Sequence, residues 1–490
     1  MIFWIWCIGL VAAVVLYICQ SHTRFNRSGV KFLWPLPILG NIGRSLLKLE
    51  SFADSRYEFG APVIVIRDLE LIKKVAIKDF EHFIDHKLII KRGLDPFSER
   101  MLFSLKGDEW KEMRSTLSPA FTSSKIRMMV PFMVEAGDQM INSLTEKAKA
   151  TNGTLMPLHC NIPVLDGYLD VDVKDLTSRY ATDVIASCAF GLKVDSHSEQ
   201  DNQFYLKGKT AVTISFKQSL ILLGYITFPA IMNVTDTLSF FRHLVLNTIQ
   251  ERELRNIIRP DMIHLLMEAK KGIFFIIIIT LHLFSLIVEC VISSISNKIW
   301  TDDDLVAQAY LFFLGGFETV SSTISFLLYE LAINPDVQDK LVREIREYDE
   351  KNGGKFDYNS VQKMEYLDMV ISDLKRHPYT IFDYPLMLPV WAIHHNPEYY
   401  PNPAKFDPER FSEENKHKIQ PFTYMPFGVG PRNCIGSRFA LCEVKVMVYQ
   451  LLRTMELSPG AKTPIPAKLA RGSFQMKLEG GHWVRFKIRK

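Results

Sequence analysis

A cysteine between glycine-rich sequence and a helix is the residue best placed to do chemistry in this chain. Residues 426–436 read PFGVGPRNCIG, and a helical pattern follows at residues 437–452. Gly428 and Gly430 permit backbone conformations that other residues resist. Cys434 is therefore predicted just before a helix N-terminus, where the dipole and unpaired N–H groups stabilise a thiolate. Such a sulfur is suited to bind a metal or to act as a nucleophile, and an inert buried cysteine is the alternative.

A long apolar helix is predicted to carry the second set of reactive groups. The pattern covers residues 301–333, with a TDDD capping box at its start and an Asn-Pro pair at its end. Its middle is apolar on all sides, which predicts burial. Gly315 and Gly316 each cost about 1 kcal/mol there relative to alanine, and Glu318 and Thr319 add a carboxylate and a hydroxyl. We expect a specific interaction to compensate for them.

Composition places the chain among ordinary globular proteins and excludes some partners. It has 490 residues, of which 48% are hydrophobic, and its 58 basic and 54 acidic residues give a net charge of +4. This near balance, without a polybasic tract, argues against nucleic acid as a partner. The seven cysteines show neither a CxxC pair nor zinc-finger spacing, which favours a reducing compartment without disulfides.

The N-terminus has the composition of a membrane anchor. Residues 1–20 contain no charged side chain, and basic residues follow within a few positions. The segment is long enough to cross a bilayer once, and the basic flank predicts that the rest of the chain stays in the cytoplasm. A buried core helix is the alternative. Residues 31–40 contain two prolines and predict a semi-rigid hinge between anchor and domain.

The remainder, residues 41–490, predicts one mainly α domain with minor β structure. A short β-branched strand at residues 63–66 precedes a helix, and beyond it the pattern is mostly helical without repeats or a clear linker. Residues 272–294 disturb this picture, because they are as apolar as a membrane span.

Residues 427–436, FGVGPRNCIG, resemble the haem-binding signature of cytochromes P450 at every fixed position. The resemblance implies a cytochrome P450 fold in which Cys434 is the axial thiolate ligand of haem b iron. It also implies that Phe427 shields the sulfur, that Arg432 meets a haem propionate and that Gly436 belongs to the cofactor loop. A thiolate ligand pushes electron density onto iron and favours O–O cleavage.

Two further motifs lie in the order expected of this family. WKEMR is similar to its WxxxR helix, in which Trp110 and Arg114 both reach a propionate, although a surface arginine is the alternative for this common pattern. GGFET resembles the oxygen-activating centre of the family's long helix. There the two glycines make room beside the haem, and Glu318 and Thr319 relay protons.

The chain departs from the family in the region that supports the haem pocket. PERF contains Arg410, which the resemblance places in an ion-pair triad, but the family's ExxR reads DLKR here, from Asp373 to Arg376. Aspartate is one methylene shorter, and a buried ion pair with poor geometry does not offset its desolvation. Residues 377–393 are too short for the expected strand pair of the pocket wall, and residues 51–63 are also abbreviated.

The apolar segment at residues 272–294 conflicts with the family pattern. A haem pocket needs Trp110 and Cys434 on one side of the membrane, so a crossing between them would split the fold. We hypothesise that the segment is an aberrant insertion, untranslated sequence retained in the gene model. The alternative is a non-catalytic membrane protein with two spans.

Overall, the strongest resemblance is to insect microsomal P450s of the detoxifying type. It implies monooxygenation of small lipophilic substrates at the cytoplasmic face of the endoplasmic reticulum membrane. Electrons would come from NADPH through NADPH–cytochrome P450 reductase, with cytochrome b5 as a further partner. A haem-binding but catalytically impaired P450 is the alternative, because the pocket wall and the triad are altered.

The resemblance also suggests surfaces for substrate, membrane and reductase. Residues 220–232 are predicted to dip into the membrane, with a buried helix as the alternative. Five phenylalanines are candidates for the substrate pocket, with plain core packing as the alternative: Phe97, Phe103, Phe312, Phe313 and Phe317. Four basic residues are candidates for a reductase-docking patch, with simple solvation as the alternative: Lys125, Arg127, Arg438 and Lys445.

Overall fold

The fold was analysed in a computed structural model of the chain. It describes four residues near the N-terminus and eight longer stretches. These are Gly9, Ala12, Ala13, Leu16, and residues 64–86, 96–150, 168–212, 236–270, 300–376, 386–387, 389–470 and 477–489. The predicted hinge, the abbreviated segment 51–63, the membrane-dipping run 220–232 and the apolar segment 272–294 lie outside the described residues.

Helices dominate the described residues. The α-helices are α1 Leu69–Lys73, α2 Pro96–Arg100, α3 Gly107–Leu117, α4 Ser123–Ala150, α5 Val173–Phe190, α6 Gln203–Val212, α7 Asp236–Arg255, α8 Asp302–Ile333, α9 Pro335–Lys351, α10 Tyr358–Gln362, α11 Glu365–Arg376, α12 Val390–His394 and α13 Ser437–Thr454. Residues 262–270 are also helical. Short 3-10 turns cover Phe80–His82, Ser118–Phe121, Pro408–Phe411 and Lys416–Lys418, and a π turn, Lys74–Lys78, follows α1.

The described strands form two small sheets. The strands are β1 Ile64–Val65, β2 Tyr168–Asp172, β3 Leu386–Met387, β4 Met455–Ser458 and β5 Trp483–Ile488. β1 and β3 pair in parallel, with Ile64 opposite Leu386. The other sheet is antiparallel in the order β2-β5-β4. The prediction of a mainly α chain with minor β structure is confirmed.

The core is built around α8. This helix packs along α5 and also contacts α2, α6, α7 and α13, while α13 packs along α4. Beside α8, aromatic rings pack in edge-to-face, tilted and stacked pairs, which stabilise such a core. They belong to Phe190, Phe204, Phe241, Tyr310, Phe313 and Phe317.

Local predictions around α8 are confirmed. Thr301 caps the helix in a reciprocal capping box with Asp304, and Asn334 follows its last residue. α8 is also the one described helix that is long and apolar enough to cross a membrane, but 72% of its apolar window is buried in the core. Burial rather than a bilayer therefore explains its composition.

The predicted anchor at residues 1–20 lies mostly outside the described residues. The four residues described there are helical and exposed, and the anchor remains a prediction. The alternative with a second membrane crossing at residues 272–294 conflicts with the packing, because α4 and α5 precede that segment, α8 and α13 follow it, and all four share one core.

Candidate active site

A cavity of about 920 Å³ lies between α3, α8 and the loop that precedes α13. Its volume falls in the range of small-molecule and cofactor sites, about 300–1,000 Å³. The cofactor-binding and catalytic residues predicted from the sequence all line it: Trp110, Arg114, Gly315, Gly316, Glu318, Thr319, Phe427, Arg432, Cys434 and Gly436. The structure thus brings together motifs that are more than 300 positions apart in the chain.

The cysteine loop is held by its own backbone. The N–H of Cys434 donates to the carbonyl of Phe427 at 2.9 Å, and α13 begins three residues later. Gly428 and Gly430 have φ angles of 76° and 78°, in the left-handed region that favours glycine. A Cβ on Gly430 would lie 2.1 Å from the carbonyl oxygen of Ala76. Both glycines are therefore required by the loop, as predicted.

The thiol of Cys434 is exposed to the cavity. Burial of the surrounding loop raises its pKa, while a hydrogen bond from the Gly436 backbone and the charge of Arg114 oppose that effect. Desolvation thus acts against ionisation of the free thiol, and a thiolate at this loop remains a prediction. A metal ion at the sulfur would supply an opposing charge, since a coordinating thiol is deprotonated outright.

Two guanidinium groups and an indole form one end of the cavity. Arg114 donates to the carbonyl of Asn433 at 2.9 Å and to its Oδ1 at 3.0 Å. Arg432 donates to two backbone carbonyl oxygens at 2.8 Å, and its guanidinium lies 4.2 Å from the ring centre of Trp110. Burial lowers the pKa of Arg432 to about 10, so it stays charged at neutral pH. Within the described ranges, neither arginine forms an ion pair with a carboxylate.

The two glycines of α8 have different surroundings. A Cβ on Gly315 would meet nothing within 4 Å, whereas one on Gly316 would lie 2.9 Å from Cδ1 of Ile185 on α5. Thr319, one turn later, donates its hydroxyl to the carbonyl of Gly315 at 2.5 Å. Open space beside the helix is therefore found at Gly315, while close packing with α5 explains Gly316.

Glu318 has a buried cationic partner. Its side chain is 10% exposed, and its Oε1 lies 3.1 Å from Nζ of Lys174, which is 12% exposed. Ser322 donates to the same oxygen at 3.0 Å, and Lys174 donates to the hydroxyls of Ser321 and Ser322 at 2.8 Å. Burial lowers the pKa of Lys174, and the Glu318 charge opposes this shift. The compensating interaction expected for Glu318 is thus an ion pair with α5.

The predicted triad lies outside the cavity, behind α11. Asp373 and Arg376 are fully buried, with Asp373 Oδ1 3.1 Å from Nε of Arg376. The other carboxylate oxygen accepts the Asp407 N–H at 2.6 Å. Arg410 Nε is 3.6 Å from Asp373 and has no hydrogen-bond partner among the described residues. Aspartate therefore joins Arg376 but stops short of Arg410.

Burial raises the pKa of Asp373, and Arg376, the Asp407 N–H and Arg410 act against that shift. Its neighbour on α8, Glu330, has a pKa raised to about 7, first by burial and then by the charge of Asp373. Two carboxyl groups thus share the surroundings of Arg376, and a single buried guanidinium does not keep both ionised at low cost.

The candidate pocket phenylalanines divide into two groups. Phe103 and Phe312 line the cavity, as predicted. Phe313 and Phe317 are buried in the aromatic core, and Phe97 packs against that core. For these three residues the core alternative is correct, because α8 turns Phe313 and Phe317 away from the cavity and Phe97 lies on α2, outside the residues that line it.

The candidate docking patch loses one member. Lys445 is 4% exposed at its side chain and forms an ion pair with Asp368 at 2.8 Å, so the prediction for this residue is wrong. Arg438 and Arg127 are exposed, although Arg127 also donates to Asn359. A patch built from Arg438, Arg127 and Lys125 remains a prediction.

Sequence reasoning missed His86. This residue lines the cavity, its Nδ1 is buried without a hydrogen-bond partner among the described residues, and its ring centre is 4.9 Å from that of Phe103. Burial, followed by the charge of Arg432, lowers its pKa to about 4. A lone histidine in a loop gives no sequence signal; only the fold brings it beside Arg432.

The cavity fits haem. The accessible thiol of Cys434 and the open flank of Gly315 face one space large enough for a cofactor. Arg114 and Arg432 place two guanidiniums, without carboxylate partners in the described ranges, where two propionates can be bound. His86 also lines this space, and its buried Nδ1 has no hydrogen-bond partner within the described ranges.

Comparison with known proteins agrees with this geometry. The family model described as Cytochrome P450 matches residues 57–376 and 383–482. The chain belongs to the cytochrome P450 family, whose members are haem-thiolate monooxygenases and bind haem b with iron. The recognition of this family in the sequence is confirmed.

Relatives resemble the chain over nearly its whole length. Cytochrome P450 9e2 of Blattella germanica is 42% identical, with 98% of this chain and 97% of the relative covered. Probable cytochrome P450 9f2 of Drosophila melanogaster is 34% identical, with 97% of each covered. Cytochrome P450 6j1 of Blattella germanica is 31% identical, with 97% of this chain and 96% of the relative covered.

The family match is interrupted directly after Arg376. Residues 377–382 fall between the two matched stretches, within the segment that looked too short in the sequence. The alignment with cytochrome P450 9e2 spans 533 positions, more than the 490 residues of this chain, so that relative carries segments without a counterpart here. In this region the family pattern leads us to expect a strand pair, and the described residues contain one strand there, β3, which is two residues long.

Proposed function

We propose that this protein inserts one oxygen atom from O₂ into small lipophilic compounds, xenobiotic or endogenous. Cys434 and the Gly315–Thr319 turn of α8 line the same cavity, and this observation carries the proposal. Aromatic residues, Phe103 and Phe312, contribute apolar surface to the same space, which suits an apolar substrate.

In this proposal the chain's own residues bind, shield and orient the cofactor. Cys434 would hold the haem iron, Phe427 would shield the sulfur, and Trp110, Arg114 and Arg432 would hold the propionates. The haem, when bound through a thiolate, supplies the activation of dioxygen. The protein sets the hydrogen bonds and the exclusion of water around that group.

Glu318 and Thr319 would move the protons that the reaction consumes. Thr319 lies on the cavity wall one turn from the open flank of Gly315. Glu318 also lines the cavity and is linked through Lys174 to Ser321 and Ser322. A buried carboxylate that is held by a cation, beside a hydroxyl in the cavity, is a suitable proton donor and acceptor pair.

The proposed cellular setting rests on the composition of the N-terminal segment. Residues 1–20 would anchor the chain in the endoplasmic reticulum membrane, residues 31–40 would form the hinge, and residues 41–490 would face the cytoplasm. NADPH–cytochrome P450 reductase would supply electrons, with cytochrome b5 as a further partner. The apolar N-terminus with its basic flank supports this orientation.

A second candidate is a P450 that binds haem but turns over poorly. The observations that favour it are the interrupted family match at residues 377–382 and the Nε of Arg410, which has no hydrogen-bond partner in the described part of the chain. Both concern the support of the pocket and leave the cysteine loop intact.

A carbon monoxide difference spectrum of the reduced full-length protein tests the proposal. We expect the red-shifted Soret band of a haem thiolate in the wild type and its loss in Cys434→Ser, because an alcohol replaces the thiolate. Absence of the band from the wild type would contradict the proposal. Product formation with NADPH and the reductase then separates the two candidates, since the impaired protein shows the band without turnover.

A further inference from the structure

A second buried lysine, Lys375, lies at the cavity without an ion-pair partner among the residues that the structure describes. It sits on α11, is 8% exposed and lines the cavity. Its Nζ lies 5.0 Å from the ring centre of Phe427 and 5.9 Å from that of Tyr424. Within the described residues, no oxygen atom lies at hydrogen-bonding distance from this ammonium group. Its environment is therefore aromatic rather than ionic.

The other buried lysines near the cavity are neutralised. Lys174 pairs with Glu318 at 3.1 Å, and Lys445 pairs with Asp368 at 2.8 Å. Burial lowers the pKa of Lys375 to about 8, and Asp368 opposes this shift while Lys445 adds to it. At neutral pH the group therefore carries a positive charge, and none of the carboxylates described in the structure forms an ion pair with it.

The ring that Lys375 contacts belongs to Phe427, a residue of the cysteine loop, so this charge lies beside the loop that carries Cys434 and on the same cavity. Phe427 lines the cavity, and its carbonyl accepts the hydrogen bond from Cys434 N–H. Cation–π contact stabilises a desolvated ammonium by about 2 kcal/mol, less than the several kcal/mol that burial of an ion costs. A fold that keeps such a group gains little stability from it. In a low-dielectric interior, however, the charge acts over a longer distance than in water.

We propose that Lys375 raises the reduction potential of the bound haem, by stabilising the negative charge that the iron and its thiolate gain when one electron is added. This inference rests on the proposed haem site. Lys375 acts electrostatically, from its position against the Phe427 ring, and touches neither substrate nor the reacting atoms. A buried charge outside the ligand shell is one of the groups by which a protein tunes the reduction potential of a haem.

Spectroelectrochemical titration of the haem-loaded full chain tests the inference. We expect Lys375→Met to disfavour reduction about tenfold, equivalent to a fall of about 59 mV for one electron, while Lys375→Arg keeps the wild-type potential. Lys355→Met, which removes an exposed lysine, is the matched control and should leave the potential unchanged, because solvent screens that charge. Equal potentials for wild type and Lys375→Met would overturn the inference.

The carbon monoxide difference band keeps this result separate from the proposed function. A wild type without the haem-thiolate band overturns both proposals. An intact band with an unchanged potential overturns only the role of Lys375. Because a neutral variant can misfold, Lys375→Leu is titrated beside Lys375→Met. Loss of the band in both, with retention in Lys375→Arg, would assign Lys375 to pocket stability and also overturn the inference.

Discussion

The cysteine loop and the Asp373–Arg410 cluster lie on two sides of α11 and differ in how completely they match the family. In the loop, Gly428, Gly430 and Cys434 occupy the positions and conformations that the motif requires. In the cluster, an aspartate binds Arg376 at 3.1 Å but lies 3.6 Å from Arg410. The loop proposed to hold the cofactor keeps the conformation its glycines predict, whereas the cluster reaches its second arginine only at 3.6 Å.

The difference reflects how each region is built. Contiguous residues make the cysteine loop, so its geometry depends on local backbone conformations. The cluster joins α11 to a 3-10 turn more than 30 positions later, so its geometry depends on side-chain length and on the segment between. Shortening a side chain or the connection therefore alters the cluster while leaving the loop unchanged.

The largest expected effect comes from removing the buried cation of the cluster. Arg376→Met leaves Asp373 as a buried carboxylate without its closest cation, which costs about 3–5 kcal/mol. It also leaves three backbone carbonyls, those of His394, Pro403 and Lys405, without their donor. We expect a large fall in the free energy of unfolding, measured by urea denaturation, together with loss of haem from a variant whose cysteine loop is unaltered.

Arg410→Met is the matched control for that comparison. Arg410 is partly exposed, lies farther from Asp373 and donates one hydrogen bond, to the Asn402 carbonyl. Its loss should cost about 1 kcal/mol, the net value of a typical hydrogen bond. Equal losses for Arg376→Met and Arg410→Met would show that both cations support the pocket to the same extent, against the distances observed.

The elements that the sequence predicts well are those with a local physical signal. The capping box at Thr301 and Asp304 and the strand before α1 are found close to the predicted positions. The loop glycines are also correct, because a positive φ and a close approach leave few alternatives to glycine. These features depend on neighbouring residues and can be recognised before the fold is known.

The errors concern side chains whose surroundings are set by tertiary packing. Phe313 and Phe317 follow Phe312 on the same helix, and only the rotation of α8 against α5 and α7 decides which ring faces the cavity. Lys445 has the composition of a surface residue, and its burial depends on Asp368 from α11. His86 and Lys375 have no recognisable pattern at all.

A pH-dependent contribution from Glu330 is the next largest effect. Its folded pKa of about 7 lies above its ordinary value of 4.5, so between these values the folded state binds more protons than the unfolded state. Stability contributed by this group is therefore complete below about pH 4.5 and is lost as the pH rises to 7. At about 1.4 kcal/mol for each pKa unit, the loss is about 3 kcal/mol.

Comparison with Glu330→Gln isolates this contribution from other titrating groups. The variant keeps an amide of similar shape, so the difference in unfolding free energy between it and the wild type should shift by about 3 kcal/mol in favour of the variant from pH 4.5 to 7. Urea denaturation at several pH values measures it. A constant difference across this range would show that Glu330 is ionised in the fold and that Asp373 does not crowd it.

The smallest expected effect tests whether the aspartate itself loosens the cluster. Asp373→Glu lengthens the side chain by one methylene and can close the 3.6 Å gap to Arg410, whose Nε has no hydrogen-bond partner within the described residues. Satisfying a buried donor gains about 1 kcal/mol, and we expect the variant to unfold at a higher temperature and to retain haem longer. Asp373→Asn, which keeps the shape but removes the charge, should lose stability.

If Asp373→Glu is instead less stable than the wild type, the surrounding residues have adapted to aspartate, because an added methylene in a well-packed site costs about 1–3 kcal/mol. The shorter carboxylate would then belong to a repacked pocket and would no longer argue for an impaired enzyme.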